Sequence, residues 1–205
     1  GVSNAYNIID GFNGLASSIA IIVFTSFAYI GFIKNDDFIL NISLAMIFAT
    51  LGFFIWNYPF GKIFLGDGGA YFIGFIIGFL SVYLVFKYKD VSPWYPMLLS
   101  TYPIFETIYS IYRKKFVRKI SPTEPDGLHL HMIIYKRLIP KLSPKTRRNR
   151  LLRNSLVAPF LITLYIPFVV IANLYWNNSK ILIYILIYLF LYKSIIKFKI
   201  KFIKL

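Results

Sequence analysis

Six stretches of the 205-residue chain are apolar over 16 to 21 residues each: Leu15–Ile33, Phe38–Trp56, Ala70–Phe86, Trp94–Tyr112, Leu156–Trp176 and Ile181–Ile196. A helix rises about 1.5 Å per residue, so nineteen residues reach roughly 28 Å, close to the thickness of a bilayer's hydrocarbon core. Helices buried in a soluble protein would still show a polar face, and these stretches hardly have one. The expected fold is therefore all-α, a polytopic integral membrane helical bundle with about six transmembrane helices. With 58% hydrophobic and 15% charged residues, the composition excludes disordered, collagen-like and coiled-coil chains. The absence of cysteine removes disulfide scaffolds, zinc–thiolate sites and thiol catalysis. Gly74 and Gly78 permit close helix approach in the third stretch. Pro96, Pro103 and Glu106 predict a bend in the fourth.

The net charge of +15 is distributed unevenly. Residues Arg113–Arg153 hold thirteen Lys and Arg against two acids, Glu124 and Asp126. Lys193, Lys197, Lys199, Lys201 and Lys204 follow near the C-terminus. Alternating crossings put 1–14, 57–69, 113–155 and 197–205 on one side with 19 of the 23 basic residues, counting Lys193 near the end of the last stretch, leaving Lys34, Lys87, Lys89 and Lys180 opposite. Basic loops stay in the cytoplasm. The chain reads as one transmembrane domain over 1–205 in a cell inner (plasma) membrane, with cytoplasmic loops at 1–14, 57–69 and 113–155. It opens at Gly1 rather than Met, without a signal-peptide pattern, and is expected to be the C-terminal part of a larger domain. The lysine-alternating end suits an anchor on anionic headgroups. So apolar a chain points away from nucleic acid, and membrane lipids are the expected surroundings.

Three polar clusters remain outside the apolar stretches, all on the basic side. In the first, Asn4, Asn7 and Asp10 recur every three residues and share one face of a helix, before Gly11, Asn13 and Gly14. It either caps the following span or forms part of a site. The second holds Asn57, Phe64 and the run Gly66-Asp67-Gly68-Gly69. An Asp among glycines at the start of a span puts a carboxylate beside exposed backbone N–H groups, a place for a divalent cation and a phosphate, or else for a helix cap. The third runs Ser121-Pro122-Thr123-Glu124-Pro125-Asp126-Gly127-Leu128-His129-Leu130-His131. Two histidines without Cys or a third His make a weak zinc site. Amid Lys and Arg they suit a phosphorylated, anionic ligand.

Together the clusters resemble the polyprenyl-phosphate N-acetylhexosamine-1-phosphate transferases of glycosyltransferase family 4, integral membrane enzymes that start cell-envelope glycan synthesis. The family reads N-x-x-N-x-x-D-G-x-x-G-L, then N-x-x-x-x-x-x-F-x-G-D-x-G, then S-P-x-x-P-D-x-x-H-x-H-H. This chain supplies Asn4, Asn7, Asp10, Gly11, Gly14 and Leu15; then Asn57, Phe64, Gly66, Asp67 and Gly69; then Ser121, Pro122, Pro125, Asp126, His129 and His131. The resemblance covers roughly residues 1–137, and the P-D-x-x-H-x-H form is similar to the branch using UDP-N-acetylglucosamine or related sugars, rather than the muramoyl-pentapeptide branch. Asn13 stands where many relatives have a second Asp, and Met132 where a final His is usual.

The resemblance implies an Mg²⁺-dependent phospho-sugar transferase, with Mn²⁺ as an alternative ion. It would move a sugar-1-phosphate from a UDP-sugar to polyprenyl (undecaprenyl) phosphate and release UMP, for O-antigen, teichoic acid, capsule or a similar glycan. The acceptor is mostly dianionic near pH 7, so neutralising charge matters more than removing a proton. On this reading Asp67 holds the metal. Asp10, Asp67, His129 and His131 form the catalytic group, and Asn7, Asn57, Phe64, Asp126 and Arg113 contact substrate, with Phe64 stacked on uracil. The family's aspartate pair lies on an earlier loop, so these 205 residues alone are expected to be inactive. Homodimerisation stays open. The competing expectation is a non-catalytic lipid-phosphate transporter or scaffold whose polar clusters line a cavity.

Overall fold

The computed structural model describes residues 1–119, 121, 128–142 and 150–189. Among these residues the chain is helical throughout, without a strand. A short α1 (Val2–Ile9) leads into α2 (Leu15–Ile33), α3 (Asp37–Asn57) and α4 (Gly66–Lys87). The broken pair α5 (Trp94–Leu99) and α6 (Thr101–Tyr112) runs on into a π-helix, Arg113–Arg118. Past the undescribed part of the basic segment come α7 (Leu130–Ile133), a second π-helix Ile134–Leu138, α8 (Ile139–Leu142) and α9 (Arg150–Ser155). Then follow α10 (Val157–Leu174) and α11 (Ser179–Leu189).

Four helices are long and apolar enough to cross a membrane: Leu15–Ile33, Asp37–Asn57, Gly66–Lys87 and Leu152–Leu174, the last joining α9 to α10. The protein is a helical membrane protein, and the count of about six is corrected to four by length and composition among the described residues. Two expected spans fall short for different reasons. The sixth is described only over Ser179–Leu189, and its remainder lies outside the described residues. The fourth is interrupted at Ser100, between α5 and α6. Pro103 has no N–H to offer the Leu99 carbonyl one turn back. The Tyr165 hydroxyl of α10 donates to that carbonyl instead, and the Thr101 hydroxyl closes on Leu98 O at 2.6 Å. The predicted bend is thus a one-residue interruption, with the Ser100 N–H still donating to Pro96 O and the Ile104 N–H to Ser100 O, both at 3.1 Å, and a neighbouring helix closing the gap.

The segment 1–14, expected as a loop, is largely helix. Ala5, Tyr6 and Ile9 of α1 are buried, while Asn4 is exposed and Asn7 half-buried. The apolar face lies on α4 and α6. Gly74 allows this approach, since a Cβ there would meet the Ser3 Cα at 2.5 Å. The core runs through α2, whose Phe24, Phe27 and Ile30 are buried in one cluster with Ile77, Leu80 and Tyr95. Helix α3 lies at the rim, with Phe48, Ile55 and Trp56 exposed. Phe72, Phe75, Val82 and Phe86 of α4 are exposed as well, an arrangement lipid tolerates and water does not.

The chain alternates between two ends. One end gathers the C-terminus of α1, the N-terminus of α2, the 58–65 loop, the start of α4 and the α9 segment, and carries the motifs. The far end gathers the α2–α3 turn, the segment after α4 and the α10–α11 turn. There Asp36 caps α3, accepting from the Phe38 and Ile39 N–H groups at 3.1 and 3.2 Å. It also accepts from Lys87 Nζ and the Tyr88 hydroxyl, both at 2.8 Å. Burial pushes the Asp36 carboxyl up, and these donors bring it below its ordinary value. Lys34 pairs with Asp90 and lies 4.7 Å from the centre of the Trp176 ring. Ser92 Oγ meets Ser179 Oγ at 2.8 Å.

Candidate active site

Gly14 opens α2 in the left-handed region, φ +77°, where a Cβ would strike Tyr58 at 2.7 Å. Its N–H donates to Asn57 Oδ1 at 2.6 Å, and Asn57 Nδ2 donates to Ile63 O at 2.8 Å. Asn57 is buried, with both ends of its amide committed to bracing the 58–65 loop against α2. Asn13 adds a second brace: its N–H donates to Asn154 Oδ1 at 2.8 Å, and its Nδ2 to Pro59 O at 2.9 Å. The Ser155 hydroxyl donates to the same Pro59 carbonyl. The amide that stands in place of a second Asp is therefore a clamp between the first two motifs and the start of α10.

This bracing brings Asp10 to the start of α4. The Asp10 carboxyl is raised from 3.8 to about 6, chiefly by burial. A hydrogen bond from the Gly66 N–H works against that rise, and the neighbouring Asp67 charge adds to it. Asp67 lies in the first turn of α4, exposed, and does not occupy the cap position, which is Leu65. A carboxylate there gains from the helix dipole without closing the helix end. Phe64 stands three residues ahead on the loop, 78% exposed. Two carboxylates, a free aromatic face and the start of a helix thus share one rim.

The histidines form a second group. His129 Nδ1 lies 3.2 Å from Glu106 Oε2, which also accepts from the Leu130 N–H at 3.1 Å. Glu106 is fully buried in α6. A carboxylate accepts only, so the His129 ring donates through Nδ1 and its Nε2 is left for other partners. His131 Nδ1 lies 2.9 Å from the Tyr102 hydroxyl, also on α6. The two imidazoles stack with centroids 5.3 Å apart. Phe12, from the first motif, meets His131 edge-on at 5.5 Å and Tyr135 at 5.2 Å. Tyr135 in turn carries the guanidinium of Arg153 at 5.2 Å. Arg113 Nη1 donates to Leu128 O at 3.1 Å, tying the head of the basic segment to the residue before the histidines.

The structure thus joins the first motif to the second through Gly14–Asn57, Asn13–Pro59 and Asp10–Gly66, and to the third through Phe12–His131. Asp126 lies outside the described residues. Among the described residues no three His, Asp or Glu side chains gather as a metal cluster. Sequence reasoning missed Glu106, Tyr102, Phe12, Tyr135, Asn154 and Arg153. Glu106 left a signal, being the one carboxylate inside the six apolar stretches, and an acid buried at membrane depth marks a function or a partner. The aromatic linkers left none, because Phe and Tyr are abundant everywhere in this chain.

Residues 1–85 match the model of a family described as glycosyl transferase family 4. The chain is 37% identical over 134 residues to a probable undecaprenyl-phosphate N-acetylglucosaminyl 1-phosphate transferase of Bacillus subtilis, covering 64% of this chain and 37% of that protein. It is 31% identical over 138 residues to an undecaprenyl-phosphate alpha-N-acetylglucosaminyl 1-phosphate transferase of Thermotoga maritima, covering 67% of this chain and 41% of the relative. A phospho-N-acetylmuramoyl-pentapeptide-transferase of Lactobacillus gasseri is 34% identical over 108 residues, 53% of this chain and 32% of its own. The chain thus spans about two-fifths of the length of the first two relatives. No solved structure matches it.

Proposed function

We propose, from the match of residues 1–85 to the glycosyl transferase family 4 model, that the protein transfers a sugar-1-phosphate from a UDP-sugar to polyprenyl phosphate, releasing UMP. UDP-N-acetylglucosamine or a related N-acetylhexosamine nucleotide is the donor class, undecaprenyl phosphate the acceptor, and the first step of a cell-envelope glycan the setting. The observation that carries this reading is the meeting of Asp10 and Asp67 at the start of α4, beside the exposed Phe64. The motif end faces the cytoplasm of an inner-membrane protein.

Asp10 and Asp67 fit Mg²⁺ or Mn²⁺: both are hard oxygen donors, and Mg²⁺ binds through one or two carboxylates while substrate phosphates and water fill its remaining positions. Bound there, the ion supplies charge neutralisation for two anions that must approach each other. The chain's own groups do the rest. Phe64 offers its face to uracil, and Asn7 projects from the polar side of α1 toward the nucleotide. Glu106 holds the His129 ring by Nδ1, so Nε2 can meet a phosphate oxygen as a donor when the ring is protonated. Tyr102 fixes His131 beside it. Arg113 and Asp126 complete the substrate contacts on the basic segment.

UMP release from UDP-N-acetylglucosamine with undecaprenyl phosphate tests the reading, measured on the chain alone and joined to the upstream portion of the Bacillus subtilis relative. Mg²⁺-dependent release is expected from the joined protein and none from the chain alone. No release from either would sink the transferase assignment.

A further inference from the structure

Arg153 is a cation that the fold buries without an ion-pair partner among the described residues. It is only 9% exposed, and its Nε has no hydrogen-bond partner among the described residues. Its contact is the Tyr135 ring, 5.2 Å from the guanidinium carbon. A ring face offsets part of the cost of burying a charge, far less than an opposing anion does. Topology explains basic residues that sit exposed in a loop or snorkel to headgroups. It does not explain one held inside.

The surroundings of Arg153 are built from the candidate site. The next residue, Asn154, accepts the Asn13 N–H, and Ser155 donates to Pro59 O, so the backbone at 153 is pinned to the first two motifs. The ring beneath the guanidinium belongs to the histidine group, since Tyr135 meets Phe12 at 5.2 Å and Phe12 meets His131 at 5.5 Å. The result is a guanidinium held over Tyr135 and joined to the histidine group through Phe12, with no acid of its own among the described residues.

We propose that Arg153 is an anion-binding residue of this site, gripping a phosphate group of a substrate with its planar set of N–H donors. A guanidinium suits this because two of its N–H groups match two phosphate oxygens, and because it is more weakly hydrated than an ammonium. The phosphate comes either from the pyrophosphate of the nucleotide sugar or from the monoester of the polyprenyl phosphate. The identity of these two sources rests on the transferase reading; the requirement for an anion does not.

The chain, in a neutral detergent, is melted with UDP and with farnesyl phosphate, using uridine and farnesol as phosphate-free controls. Without any of these, Arg153→Met should melt at or above the parent temperature, because it removes an unpaired buried charge and keeps the apolar stem. At least one of the two phosphates should stabilise the parent where its control does not. Arg153→Met should weaken that apparent affinity at least ~10-fold, the loss of one charge-assisted contact, and Arg153→Lys should recover part of it. A loss confined to UDP assigns the donor phosphates, and one confined to farnesyl phosphate the acceptor. Unchanged affinity for both in Arg153→Met overturns the proposal, as does a parent that neither phosphate stabilises. An Arg153→Met protein that melts well below the parent without ligand also overturns it, by making Arg153 a structural cation. UMP release by the joined protein is scored separately, so a failed transferase assay strikes the function while the anion result stands by itself.

Discussion

The two ends of the bundle use charge in opposite ways. At the far end, Asp36 meets Lys87, Tyr88 and two backbone N–H groups, and Lys34 meets Asp90. These charges satisfy one another and close the turns. At the motif end, burial and the neighbouring Asp67 charge push the Asp10 carboxyl up, and Arg153 is buried over a tyrosine with its Nε unpartnered among the described residues. Both ends have acids and bases enough to pair. Polar groups that a fold leaves uncompensated beside a rigid frame are those available to a ligand, so the difference between the ends separates architecture from chemistry.

That contrast can be broken most sharply at Asp67. In the joined protein, Asp67→Asn keeps shape and removes charge, and turnover should fall at least ~10²-fold, the scale of losing one charge-stabilising group. Steady-state rates with the melting temperature unchanged would confirm it; activity within a few-fold of the parent would make Asp67 an ornament of the helix start. Next comes Phe64→Ala, which should weaken UDP-sugar binding by about 1–3 kcal/mol through lost base stacking. The KM for the lipid should barely move, and a lipid KM that rises instead puts Phe64 on the acceptor side.

The far end should answer in stability alone. Asp36→Ala removes the α3 cap and should cost roughly 0.5–2 kcal/mol in denaturant unfolding, with turnover per folded molecule within a few-fold of the parent. A large drop in turnover would erase the distinction between the ends. The smallest effect belongs to Asp10. Its folded-state value of about 6 lies above the ordinary 3.8, so the folded protein holds that proton more tightly than the unfolded chain. The stabilising contribution is present below about pH 4 and lost as pH rises through about 6. Asp10→Asn, neutral throughout, should melt with the parent near pH 4 and slightly above it at pH 7.5 without divalent ions. The rise is modest because the group is partly solvated. A lower melting temperature at pH 7.5 would show the carboxylate to be structural.

Much of this was legible in the sequence, for reasons that also mark where legibility stops. Hydropathy located the four long helices closely because lipid demands continuous apolar length. It overcounted where length is not enough: Trp94–Tyr112 is apolar throughout and still breaks at Ser100, since backbone hydrogen bonding at Pro103 decides continuity. Motif spacing brought Asp10, Asp67 and the histidines to one end. It did not distinguish side chains that face a ligand from those that hold the frame, and Asn57 and Asn13 prove to be braces while Asp10 and Asp67 meet at the start of α4. That distinction depends on which carbonyl lies 3 Å away, and in a bundle joined by long connections such partners come from distant parts of the chain.

The hydrogen bond from the Asn13 N–H to Asn154 links residues 141 positions apart. A ribosome adding ~5–20 residues per second takes roughly 7–28 s to cover that distance. Within that interval α2, α3 and α4 are completed while the clamp has no second jaw. The Asn13–Asn154 clamp at the motif end therefore closes only after the far-end turn between α2 and α4 has drawn together, and before the α10–α11 turn can join that far end.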